Sequence, residues 1–193
     1  VRMGLGPFVA RELLRAGATL PCVLGTSEAS VAQARQDLEA ALGISLRGYT
    51  DFDALLTAKT LDAVAILSPS ETHGFYLQKT LAAGLDTFCE KPLLWGEADP
   101  CVAAERLLSG FQARKLVLWE NCLWPVLLPA YFELFPTLHG VAPQSFLMKL
   151  APTDAAAKML GELLPHPLSL LQALAPVTAP QGRPRLEAIR FSH

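Results

Sequence analysis

The stretch Thr87-Phe88-Cys89-Glu90-Lys91-Pro92 decides how this chain is read. It follows an amphipathic run closed by a glycine, Leu81-Ala82-Ala83-Gly84. A short apolar segment then ends in an acid, a base and a proline. Proline lacks an N–H and disfavours helix in the residue before it, so the strand is expected to stop near Lys91. That leaves an ammonium at the carboxyl edge of a strand, which is where open α/β sheets bind their ligands. A lysine there can move a proton or hold an oxyanion. The alternative for these residues alone is a surface Glu-Lys pair beside a turn.

The segments around this strand repeat its pattern. Leu61-Asp62-Ala63-Val64-Ala65-Ile66-Leu67 is nearly all apolar, as a strand covered on both faces of a parallel sheet should be. It ends in Ser68-Pro69-Ser70-Glu71-Thr72-His73, and a helix from about Gly74 to Ala83 returns to the Glu-Lys-Pro strand. Upstream, Thr19 to Gly25 reads as a strand and Ser30 to Leu42 as a helix stopped by Gly43. Tyr49 leads into a helix holding Leu55 and Leu56, with Thr50 or Asp51 as its N-cap. Downstream, Glu97 to Leu108 is expected to be helical, Lys115 to Trp119 a strand, and Leu127 to Phe135 a helix closed by Pro136. Strands alternating with helices at short spacing predict an α/β fold with a doubly wound parallel sheet. The domain boundary is placed near Pro136, giving residues 1–136 and 137–193. Beyond it, Ser145 to Leu150 reads as a strand with alternating faces, Leu168 to Leu174 as a helix, Val177 to Pro184 as a connection, and Leu186 to Phe191 as a last strand. This is the pattern of an incomplete α+β second domain.

At the other end, Gly4-Leu5-Gly6-Pro7-Phe8-Val9 feeds a helical pattern that stops at Gly17. Glycines at i and i+2 before a helix let the backbone approach a pyrophosphate, which the helix N-terminus then stabilises. Gly4, Gly6, Pro7 and Phe8 are therefore candidate dinucleotide contacts. Val9 stands in the place of the third glycine, and a tight turn without a ligand is the alternative. In such units an acid about 20 residues past the glycines holds the ribose hydroxyls. Thr26-Ser27 occupy that place, with no charge to repel a 2′-phosphate, which favours NADP over NAD.

Composition narrows the classes. The chain has 193 residues, 51% of them hydrophobic, and a net charge of −2, which gives no electrostatic footprint for nucleic acid. Its longest apolar stretch in the middle, Cys122 to Phe132, is broken by Pro125 and Pro129 and is shorter than the about 20 residues a bilayer needs, so no membrane association is expected. Cys22, Cys89, Cys101 and Cys122 have no metal-like spacing, and a reduced, cytoplasmic setting is expected.

Taken together, these pieces resemble the glucose-fructose oxidoreductase / inositol dehydrogenase family. The resemblance rests on Gly4-Leu5-Gly6, Tyr49-Thr50-Asp51-Phe52, Ser68 to His73 and above all Glu90-Lys91-Pro92. A fifth stretch, Glu162 to His166, looks like the family's acid-x-x-x-His segment. The resemblance implies a Rossmann-like domain and hydride transfer between a sugar, polyol or similar carbinol and NADP or NAD. It also implies Lys91 at the substrate hydroxyl, His166 as acid/base, and Glu162 as the acid before it. Ser68, Pro69, His73, Glu90 and Lys91 itself fall on cofactor-side positions, His73 near the nicotinamide ribose. A cap or loop role for Thr72-His73, and a turn role for His166 between two prolines, are the alternatives. Leu164 stands where the family often has glycine, and Leu123 where an arginine often follows the asparagine matched by Asn121. A more apolar pocket is one consequence, and some relatives reduce linear tetrapyrroles. The competing class is a degenerate, non-catalytic nucleotide binder or an inactive fragment. Only Val1-Arg2-Met3 precede Gly4, and only two strand candidates follow the boundary. The chain is thus expected to be part of a longer, homo-oligomeric protein, with a sound first domain and a loose remainder.

Overall fold

The computed structural model describes residues 5–58, 60–141, 143, 145–151 and 157–175. The chain divides into two compact units, residues 1–119 and 120–193.

In the first unit helices and strands alternate: α1 (Leu5–Arg15), β1 (Cys22–Leu24), α2 (Glu28–Leu42), β2 (Arg47–Tyr49), α3 (Phe52–Ala58), β3 (Ala63–Ile66), α4 (His73–Ala83), β4 (Asp86–Cys89), α5 (Pro100–Ala113) and β5 (Leu118–Glu120). A 3₁₀ turn, Ser70–Thr72, precedes α4. Strands β1 and β2 pair in parallel, with Leu24 opposite Tyr49. Strands β3 and β4 also pair in parallel, with Ile66 opposite Cys89, and β5 lies on the other side of β4. Two-residue loops cannot join parallel neighbours, so each crossover carries a helix. The architecture is the expected α/β, doubly wound Rossmann type. The expected strand over Val1 to Met3 lies outside the described residues.

Local chemistry sets the helix limits. Ser27 caps α2 by accepting from Ser30 N at 3.2 Å, while Ser30 Oγ accepts from Ser27 N at 3.0 Å. These reciprocal bonds start the helix at Glu28, before the expected Ser30. Gly43, at φ 67°, ends it. Of the two candidate caps for α3, Asp51 is used: its Oδ1 accepts from Ala54 N at 2.6 Å. Asp99 caps α5 by accepting from Val102 N at 3.0 Å, with Pro100 in the first turn. The helix therefore starts later than the expected Glu97 and runs on to Ala113. Gly110 does not stop it, because a Cβ there would meet Leu81 Cδ2 on α4 at 2.7 Å. The missing side chain lets α4 and α5 pack closely. Ile66, Leu77, Cys89, Leu107 and Phe111 form the core beneath β3 and β4. A second cluster joins Ala10, Leu38 and Leu46. Val9 is 8% exposed, so the residue in the third-glycine place is itself a core residue.

The second unit is helical among its described residues beyond β5: α6 (Leu123–Val126), α7 (Leu128–Leu134), a 3₁₀ turn (Pro136–Leu138), α8 (Ala157–Leu163) and α9 (Pro165–Leu174). Helix α6 packs on α7 and α9. That packing draws residues expected in the first domain, up to Pro136, into the second unit and moves the division to Trp119. The expected strand Ser145–Leu150 is irregular. Its side chains still alternate, with Phe146, Met148 and Leu150 half-buried and Leu147 exposed, but it has no paired strand among the described residues. Over the described residues this unit is helix and coil. Val177 to Pro184 and Leu186 to Phe191 lie outside them.

Candidate functional site

Parallel pairing brings the chemistry of the first unit to strand ends. Ile66 and Cys89 are register partners, so Ser68 and Lys91, each two residues further on, start adjacent loops at the same sheet edge. Strand β4 ends at Cys89, ahead of the expected Lys91, although Glu90 N still donates to Ile66 O at 2.9 Å. The Lys91-Pro92 peptide is cis, and Glu90 and Lys91 are half-buried.

The loop after β3 is bonded to itself. Thr72 Oγ1 donates to Pro69 O at 2.7 Å, and Ser68 Oγ lies 2.6 Å from Thr72 Oγ1. Because the Thr72 hydroxyl has spent its proton on Pro69, the Ser68 hydroxyl is the donor in that pair. Its lone pairs remain to accept from a ligand hydroxyl.

His73, the first residue of α4, is 1% exposed. Nε2 lies 2.9 Å from Ser68 O and Nδ1 2.8 Å from Pro92 O. The ring therefore spans the two loops. Both of its nitrogens face backbone carbonyls, which fits the loop role that was the alternative to a place near the nicotinamide ribose.

Near β1, Gly25 turns the chain into α2. A Cβ there would stand 2.6 Å from Ser30 Oγ and 2.9 Å from Val31 Cγ2. Thr26 and Ser27 are exposed, and the Ser27 hydroxyl is committed to capping. Glu28, exposed in the first turn of α2, is a carboxylate two residues past Thr26 that sequence reasoning did not weigh. In α1, a Cβ on Gly6 would meet nothing within 4 Å among the described residues beyond its own helix, so their packing does not require this glycine. The surface of that turn is open to a phosphate. Pro7 is half-buried and Phe8 is 46% exposed, with the Arg11 guanidinium 5.1 Å above its ring. Gly4 lies outside the described residues.

In the second unit Glu162 belongs to α8 and His166 to α9, with Leu164 between the helices. Pro165 has no N–H to continue α8, which ends that helix and begins the next. His166 is thus helical, where a turn role was the alternative. Its ring meets Trp124 edge-on, with centroids 6.4 Å apart. Among the described residues no group of His, Cys, Asp and Glu has the arrangement of a metal site. None of the described helices is long and apolar enough to cross a membrane.

Parallel strands alternating with helices, a glycine in the first turn of α1 and polar loops at the strand ends define a dinucleotide-binding unit. The comparisons agree: residues 3–119 match the oxidoreductase family with an NAD-binding Rossmann fold (Gfo/Idh/MocA), and the chain belongs to that family. It is 35% identical over 123 residues to a dTDP-3,4-didehydro-2,6-dideoxy-alpha-D-glucose 3-reductase of Streptomyces violaceoruber, covering 63% of this chain and 34% of that protein. It is 42% identical over 53 residues to an inositol 2-dehydrogenase of Leifsonia xyli subsp. xyli, covering 28% of this chain and 16% of the relative. A solved UDP-N-acetylglucosamine 3-dehydrogenase of Acidithiobacillus ferrooxidans superposes with a TM-score of 0.66 at 26% identity, over 88% of this chain and 53% of that one. The chain thus spans between a sixth and about half of the length of these relatives.

Proposed function

We propose that this chain carries the cofactor-binding part of an NAD(P)-dependent oxidoreductase acting on a CH–OH group of a sugar, polyol or related small molecule. The observation that carries the reading is the pairing of the Ser68 and Lys91 loops at one sheet edge, within the segment that matches the family. The two curated relatives are, by name, a sugar reductase and an inositol dehydrogenase, which fits either direction of the reaction.

The residues present fit a dinucleotide. The open turn at Gly6, followed by Pro7 and Phe8, takes the pyrophosphate at the N-terminus of α1. Thr26 and Ser27 would hold the adenosine ribose, and Ser68, Pro69 and Glu90 would border the nicotinamide end. When bound, the nicotinamide accepts or returns a hydride. Oxidation then requires that the carbinol O–H lose its proton as the C–H bonding pair leaves with the hydrogen, so that C–O becomes C=O. Lys91 holds the developing oxyanion and shares that proton, and His166 is the acid/base partner. Glu162 supports His166 electrostatically. NADP is favoured over NAD because no acid occupies the Thr26 position; Glu28 limits that preference. Four cysteines without a disulfide fit a reduced, cytoplasmic setting, and the whole protein is proposed to be a homo-oligomer.

A second reading, nucleotide binding without turnover, is favoured by the buried Val9 in the third-glycine place. Steady-state turnover on a panel of sugars and polyols, run beside NADPH binding, separates the two. Lys91→Ala and His166→Ala are expected to lower turnover about 10²–10⁴-fold with cofactor binding intact. Turnover near the parent value in either variant removes that residue from the chemistry.

A further inference from the structure

His73 is the first residue of α4, 1% exposed, and its ring reaches both the loop after β3 and the loop after β4. Ser68 O belongs to the loop after β3 and Pro92 O to the loop after β4. Both are acceptors only, and burying a carbonyl without a partner costs about 1–3 kcal/mol. A histidine ring suits this place because its two nitrogens lie on opposite edges of one rigid ring, and both carbonyls are bonded when each nitrogen carries a hydrogen, as in the protonated ring. An amide side chain carries its donors on a single nitrogen and reaches one carbonyl well. The bridged residue Pro92 directly follows Lys91 in the chain, so few rotatable bonds separate the bridge from the lysine side chain. The base of the bridge is firm: Leu77, one turn along α4, is wholly buried, and Cys89, at the end of β4, is too.

We propose that His73 is a positioning residue: by bridging Ser68 O and Pro92 O it fixes the Lys91-Pro92 turn against the Ser68-Pro69 turn and so sets where Lys91 is presented. This deepens the proposed function and rests on it for its catalytic meaning. The geometric part stands on the two distances alone.

The test uses the whole chain with ¹³C-methylated lysines, the Lys91 signal being assigned by its loss in Lys91→Arg. In folded His73→Leu, the Lys91 methyl signal and the Lys91 and Leu93 amides should move, while the amides of β1, β2 and α2 stay in place. His73→Gln should restore part of the shift. Turnover should fall by up to about 10²-fold in kcat, the scale of a misplaced catalytic group, with cofactor affinity changed by less than about threefold. An unmoved Lys91 signal in a folded variant overturns the proposal. Should His73→Leu not fold, the parent decides: a slowly exchanging His73 ring N–H with scalar coupling to the Ser68 or Pro92 carbonyl carbon supports the bridge, and a freely exchanging ring refutes it. Absence of turnover in every variant would strike at the oxidoreductase reading and leave the Lys91 signal to judge the bridge.

Discussion

Gly48 and Val31 touch so closely that a Cβ on Gly48 would stand 2.1 Å from Val31 Cγ1. Gly48 is the middle residue of β2, and Val31 is a 4%-exposed residue of α2. Strand and helix can lie together only because this strand position has no side chain. Gly48→Ala forces a β-branched, rotamer-stiff neighbour to move. It should destabilise the fold by about 1–3 kcal/mol, read as a lowered urea midpoint with an unchanged m-value. An unchanged midpoint would mean that α2 is free to shift.

Arg114, just beyond α5, reaches back to the end of α4. Its Nη1 donates to Leu81 O and, at 3.0 Å, to Ala82 O. A cation on the last carbonyls of a helix satisfies groups that have no partner within the helix and complements its dipole. Arg114→Leu should cost about 0.5–1 kcal/mol. Hydrogen exchange should quicken at Gly84 and Leu85, whose amides donate to Leu81 O and Thr80 O. Equal exchange in parent and variant would show the contact to be without effect.

Glu28 is the carboxylate nearest in sequence to the Thr26-Ser27 turn, and it lies exposed at the N-terminus of α2. Its charge opposes a 2′-phosphate and favours ribose hydroxyls. Glu28→Gln should raise the ratio of NADPH to NADH affinity, with the larger change in NADPH. Parallel binding titrations of both cofactors measure it; an unchanged ratio would place the ribose elsewhere.

The alternation of apolar runs with glycine- and proline-bounded loops was enough to read the first unit. Periodicity and capping chemistry are local, and Leu38, Leu55, Ile66 and Leu77 fall on buried faces as their spacing requires. What sequence could not convey depends on residues far apart in the chain. The need for glycine at 48 and 110 depends on which side chain faces it from another element, Val31 and Leu81 respectively. The bridge made by His73 depends on Pro92, 19 positions away. That the Ser27 hydroxyl caps α2 is equally hidden in the sequence, because a hydroxyl serves a cap and a ligand equally well. Ser145 to Leu150 alternates as a strand should, yet among the described residues it pairs with no strand.

The central claim is that the first unit binds a nicotinamide dinucleotide across the open turn at Gly6. The most direct measurement is a fluorescence titration of the chain with NADPH, run beside Gly6→Asp. That variant sets a carboxylate where nothing now stands within 4 Å, so its fold should survive while its charge repels a pyrophosphate. The account predicts saturable binding by the parent and its loss in a folded Gly6→Asp variant. Equal affinity in the two proteins would contradict it.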